Sequence, residues 1–102
     1  MRRTAILTGF VLMTAMGAFA QKDAKATYGS KCAICHGPDG AAKTARGKKL
    51  KIKSAQEMAA KMSAADMAKI VSDGKGDMPG FSKELSKEDI TAIVDYYRGL
   101  GK

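Results

Sequence analysis

At 102 residues the chain has room for one domain, and with 6 % aromatic residues and no Trp its apolar content falls largely to Ala and Met. A formal charge of +8 suits acidic partners, while the absence of aromatic residues among the clustered lysines argues against nucleic acid. Two cysteines with only two residues between them exclude a disulfide-built fold, because a bridge closing so small a loop constrains little of the unfolded chain.

The N-terminus reads as an export signal. Arg2 and Arg3 precede an uncharged, mostly apolar stretch from Ala5 to Ala20, and Ala18-Phe19-Ala20 has the small-x-small form of a cleavage site. The stretch is short for a bilayer span, which takes about 20 residues, so an uncleaved anchor is the weaker reading. No cysteine lies nearby to accept a lipid. Residues 1–20 are therefore expected to be a signal peptide and 21–102 a single periplasmic domain of 82 residues with a formal charge of +6. A domain of that size buries a thin core and commonly needs a staple or a cofactor. This one has only four aromatic rings, Tyr28, Phe81, Tyr96 and Tyr97, so a large apolar cofactor would supply the missing bulk.

The remaining pattern is all-α, with Gly and Pro at the junctions and no convincing alternation of strand type. Asp23 is placed to cap a first helix carrying Ala24, Tyr28 and Cys32 on one face. Residues 36–53 read as an irregular loop, broken by Gly37, Pro38, Gly40 and Gly47. Lys43, Arg46, Lys48, Lys49, Lys51 and Lys53 lie in it with no acid among them. Such a run is ordinarily a solvated loop; its functional reading is a docking patch for acidic partners. Two short helices follow, opened by Ser54 with Glu57 and by Ser63 with Asp66, each with the spacing of a capping box. The second places Met67, Ile70 and Val71 on one side and stops near Gly74. A glycine-rich loop from Gly74 to Phe81 leads to the last helix, capped by Ser86 and Asp89, with Leu85 and Ile90 spaced as a hydrophobic staple. Ile90, Ile93, Val94 and Tyr97 form its apolar stripe, and Gly99 and Gly101 end it.

Cys32-Ala33-Ile34-Cys35-His36 is a C-x-x-C-H motif, which reads as covalent haem attachment. Thiols three residues apart share a helix face and can reach the two vinyl groups of one porphyrin, and the next residue brings its imidazole to the iron. A structural zinc site would need four protein ligands, and a single His with two Cys cannot complete one. A thioredoxin-like dithiol would sit beside a βαβ pattern that this chain lacks. Because His36 is the only histidine, the sixth iron position falls to Met, Lys, water or nothing. Met58, Met62 and Met67 lie on helical stretches where Met ordinarily fills gaps. Met78 instead lies in the Gly/Pro loop, where Pro79 forces it into an extended conformation, and Phe81 is placed to pack at the haem edge. Met78 is therefore the expected partner of His36, and a His/Met pair leaves no open position.

Tyr28-Gly29-Ser30-Lys31-Cys32-Ala33-Ile34-Cys35-His36-Gly37, Met78-Pro79-Gly80-Phe81 and Ile93-Val94-Asp95-Tyr96-Tyr97-Arg98 together resemble the small bacterial class I monohaem cytochromes c, over nearly all of residues 21–102. The resemblance implies three to five helices wrapped around one haem c bound through Cys32 and Cys35, with His36 and Met78 as axial ligands. It implies a crossing of first and last helices near the haem, with Tyr28, Ile93 and Tyr96 at the contact and Ala24 where Gly is frequent. It leaves the lysine-rich segment unmatched. The expected function is one-electron shuttling between exported or membrane redox partners by a monomeric non-enzyme that meets a membrane only through those partners or an uncleaved signal. The rival readings are a haem-bearing subunit of an exported dehydrogenase and a haem enzyme or sensor with a labile sixth ligand.

Overall fold

The computed structural model describes residues 23–101, so the expected signal peptide at 1–20 lies outside the described residues. Among the described residues six helices follow one another: α1 Ala24–Lys31, α2 Ala33–His36, α3 Ala45–Lys49, α4 Ala55–Lys61, α5 Ala64–Asp73 and α6 Lys87–Leu100. The described residues hold no strand; an isolated bridge joins Lys75 and Met78. The all-α expectation holds, with one helix more than the three to five expected. The count rises because Cys32 interrupts the first helix, separating α1 from α2, and because α3 forms inside the segment read as irregular loop.

The caps act as their residue types dictate. Asp23 accepts from the Lys25 amide, and Ser54 and Ser63 accept from the amides of Glu57 and Asp66. At Ser86 the reciprocal box forms, since the Asp89 carboxylate also accepts from the Ser86 amide at 3.2 Å. Leu85 and Ile90 on either side of that cap are both buried, as a staple requires.

Helix α6 is the organising element and packs on α1, α4 and α5. Its Ile90, Ile93 and Val94 bury against Tyr28 of α1, Met67 of α5 and Leu85. Removing an aliphatic or Met side chain of this size from water is worth about 1.5–3 kcal/mol, so these few residues carry much of the core. The expected contact of first and last helices is present. The Tyr28 and Tyr96 rings lie 5.4 Å apart, Ile93 is buried in the same cluster, and Ala24 packs against it. Arg98 of α6 reaches across to the end of α4 and donates to the Met62 carbonyl at 2.6 Å, a cation on a helix C-terminus.

Helix α3 is held by its neighbours rather than by length. Thr44 caps it, accepting from Gly47 N at 2.9 Å, and its own hydroxyl donates to the Cys35 carbonyl at 3.2 Å. Ala42 and Lys51 bracket it, each with φ of 57°, a left-handed conformation that costs a non-glycine residue roughly 1–2 kcal/mol. The lysine-rich segment is thus a pinned turn of helix with strained flanks.

Candidate functional site: a cleft between the Cys-x-x-Cys-His helix and the Met78 loop

The interruption at Cys32 determines how the motif is presented. Cys32 leaves ideal helix geometry at φ −116°, yet its amide still bonds to the Tyr28 carbonyl, so α2 continues from α1 with a local change of direction. Gly37 ends α2 in a left-handed conformation, and the Tyr28 hydroxyl donates to its carbonyl at 2.6 Å. That buried bond ties the far end of the motif back to the core, and burial accordingly drives the Tyr28 phenol well above its ordinary pKa.

A cleft of about 1030 Å³ opens beside α2. Cys32, Cys35 and His36 line it, and so does Met78 from the loop between α5 and α6. All four residues singled out in the sequence therefore meet at one cavity, although Met78 lies far from the motif in the chain. Both thiols are free of disulfide linkage. The Met78 loop is narrow: Lys75 and Met78 exchange amide–carbonyl bonds at 2.9 and 3.0 Å, and Gly76 at φ 59° takes the first central position of the turn. Its far end is anchored on α5, where Phe81 N bonds to Val71 O at 2.8 Å and Ser82 N to Ser72 O. Gly80 is needed there, since a Cβ would lie 2.6 Å from the Ser72 carbonyl oxygen.

Three observations match the cleft to a porphyrin. Its volume sits at the upper end of the ~300–1,000 Å³ range of cofactor pockets. Leu50, Ile52, Pro79 and Phe81 give it apolar walls. His36 lines it, and its Nδ1 is buried without a hydrogen-bond partner, a polar atom that the protein alone leaves unsatisfied. Burial lowers the His36 pKa and favours the neutral imidazole, the form that binds metal. Burial likewise pushes the Cys32 thiol up to about 11, with Lys31 pulling the other way. The Tyr97 ring meets His36 edge-on at 5.1 Å, and burial raises its phenol to about 12. Among the described residues no group of three or more His, Cys, Asp and Glu could hold a metal ion unaided.

Leu50 and Ile52, which line the cleft, and Thr44 and Gly47, which seat α3 against it, were not legible as site residues. A usable signal was present: Thr44 followed three residues later by an unencumbered amide is an N-cap pattern. Gly47 read as a breaker, whereas it is the residue that lets α3 approach. Its Cβ would lie 2.5 Å from the carbonyl oxygens of both Cys35 and Ala42.

A helical chain of this size, with such a motif and such a cleft, defines a class of protein: the small monohaem c-type cytochromes, which carry haem c covalently and serve electron transfer. This chain belongs to the family described as cytochrome c oxidase, cbb3-type, subunit III, which matches residues 19–96. A solved structure, the c-type cytochrome KustC0563, superposes with a TM-score of 0.72 at 30 % identity, covering 79 % of this chain and 100 % of its own. No curated protein matches the chain. Proteins of this class are typically exported, and no helix among the described residues is long and apolar enough to cross a membrane.

Proposed function

We propose that this chain is a periplasmic single-electron carrier, exported by residues 1–20, in which Cys32 and Cys35 hold the haem as thioethers and His36 and Met78 are its axial ligands. The observation that carries this reading is that these four side chains, from two segments far apart in the chain, line one cleft. When bound, the haem supplies a one-electron ferric/ferrous couple. The protein supplies position and dielectric. His36 offers a neutral imidazole held in place by burial and the Tyr97 edge. Met78 offers a soft thioether on a loop braced at both ends, and Leu50, Ile52, Pro79 and Phe81 offer apolar surface to the faces of the ring. With His36 and Met78 both holding the iron no coordination position would stay open to a substrate, and the chain has no second histidine, which supports a carrier rather than an enzyme. The secreted chain from a host able to attach haem c is expected at the mass of residues 21–102 plus one haem, with the low-spin spectrum of His/Met ligation. A folded, colourless product at the bare polypeptide mass defeats the reading.

Partners are acidic redox proteins. Lys43, Lys48, Lys51 and Lys53 are exposed around α3, and Ile34, 62 % exposed inside the motif, gives an apolar point beside the cleft mouth. Charge of this kind acts mainly on encounter rate. Reversal of Lys48 and Lys51 to Glu is expected to slow electron transfer to an acidic partner protein roughly tenfold at low salt, with the midpoint potential unchanged. A salt-independent rate, equal in the variant, removes the docking role. The family's description favours a second reading, in which the chain is the haem-bearing subunit of a larger oxidase. Stable co-purification with membrane subunits favours that reading, and isolation as a free monomer favours the shuttle.

A further inference from the structure

Among the described residues, the buried side-chain nitrogen and oxygen atoms left without a hydrogen-bond partner are His36 Nδ1 and the Tyr97 hydroxyl. Folding takes both from water, and an unpaired buried polar atom leaves that desolvation uncompensated. The two atoms belong to one contact. The rings of His36, at the end of α2, and of Tyr97, near the end of α6, meet edge-on with centroids 5.1 Å apart. The carbonyls of the motif already accept bonds from elsewhere. Thr44 donates to that of Cys35, the Ala42 amide to that of His36, and the Tyr28 hydroxyl and the Gly40 amide to that of Gly37. The neighbouring ring of Tyr28 thus has a use for its hydroxyl, and Tyr97 has none within the polypeptide.

We propose that Tyr97 is the positioning residue for the His36 imidazole, its phenol oxygen accepting a hydrogen bond from Nδ1–H when Nε2 holds the iron. The inference rests on the reading of His36 as an axial ligand. A ligating imidazole is neutral and keeps its one proton on the nitrogen away from the metal, so Nδ1 is then a donor that needs an acceptor. That outer bond fixes the tautomer and the ring orientation and makes the imidazole a more basic ligand. A phenol oxygen has the lone pairs to accept it while keeping its own proton. Both rings stand on elements held in place elsewhere. Tyr97 follows the buried stripe of Ile90, Ile93 and Val94, and α2 is tied down through the three carbonyl bonds above, so the pair closes by side-chain rotation. A more basic imidazole favours the ferric state, so Tyr97 draws the potential down while a thioether on the opposite side of the iron raises it.

The chain has one histidine, so isotopically labelled histidine gives one imidazole N–H signal in the haem-loaded ferrous protein. In the parent that signal is expected far downfield and slow to exchange with solvent. Tyr97→Phe keeps the ring edge and loses the oxygen. It should retain covalent haem and the low-spin spectrum, while the N–H signal moves upfield and exchanges faster and the midpoint potential rises. Its melting temperature should fall, because Nδ1 loses its partner. A Tyr97 hydroxyl that pairs with nothing gives the opposite sign, since its removal relieves a buried unsatisfied atom. A parent-like N–H signal and potential in Tyr97→Phe, with melting unchanged or raised, overturn the proposal and leave the haem reading intact. Should Tyr97→Phe fail to fold, fluorinated tyrosine in the otherwise unaltered chain decides the matter. It makes the phenol oxygen a weaker acceptor, so the His36 N–H signal should move upfield, and an unmoved signal overturns the pairing. A parent chain that carries no haem overturns the haem reading and this inference together.

Discussion

Met78→Ala is expected to abolish the low-spin His/Met spectrum and lower the midpoint potential by roughly a few tenths of a volt, within the ~0.8 V span that axial ligation covers. The direction follows from chemistry, since a thioether ligand stabilises the ferrous state, and water in its place favours the ferric one. The substitution is a clean one because the loop does not depend on the Met78 side chain. Its amide and carbonyl make the turn with Lys75, and the segment that follows is held by Phe81 and Ser82 on the end of α5. The covalent haem, held by the two cysteines, should survive, so mass and spectrum separate loss of a ligand from loss of the cofactor. The ferrous variant should also bind carbon monoxide readily, since one axial position is then open. If Met78→Ala retains the parent spectrum and potential, Met78 is not the sixth ligand and the electron-carrier reading loses its second ligand.

Gly47→Ala is expected to cost about 3 kcal/mol, at the upper end of what overpacking ordinarily costs, because the added Cβ meets backbone on two sides. The carbonyl oxygens of Cys35 and Ala42 would each be 2.5 Å from it. Neither is the end of a flexible side chain, so α3 must move away from α2 as a body. The hydrogen bond from Thr44 to Cys35 and the wall formed by Leu50 and Ile52 move with it. For a domain of this size that cost corresponds to a fall in Tm on the order of 15 °C. Thermal melts of the haem-loaded chain followed by circular dichroism measure it, and a melt within a degree or two of the parent would show that α3 does not pack as described. The same displacement should admit water to the cleft and broaden the visible bands.

How much of this was readable beforehand depended on the range of the interaction. Asp23, Ser54, Ser63 and Ser86 cap helices through bonds to amides two or three residues away, so their pattern is local and was legible. The stripe of Ile90, Ile93 and Val94 was legible for the same reason: a 3.6-residue period identifies a buried helix face without naming what buries it. Helix α3 was missed because its stability is not local. One turn with a glycine at its centre has poor intrinsic propensity, and it persists through Thr44 and Gly47 docking on a carbonyl in a different helix. Gly47 looked like punctuation when it is a contact.

The order of residues by itself determined the cofactor chemistry and the helical class. Two thiols and an imidazole in five consecutive positions have few other uses, and the apolar periods and caps are written within a few residues of one another. Which cations of the lysine-rich segment line the cleft was decided only by the tertiary structure, and it is also the tertiary structure that brings Met78, singled out beforehand by its Gly/Pro loop, into the cavity that His36 lines. Those facts depend on where α6 draws α1, α4 and α5 together, and such long-range packing leaves no signature in any short stretch of sequence.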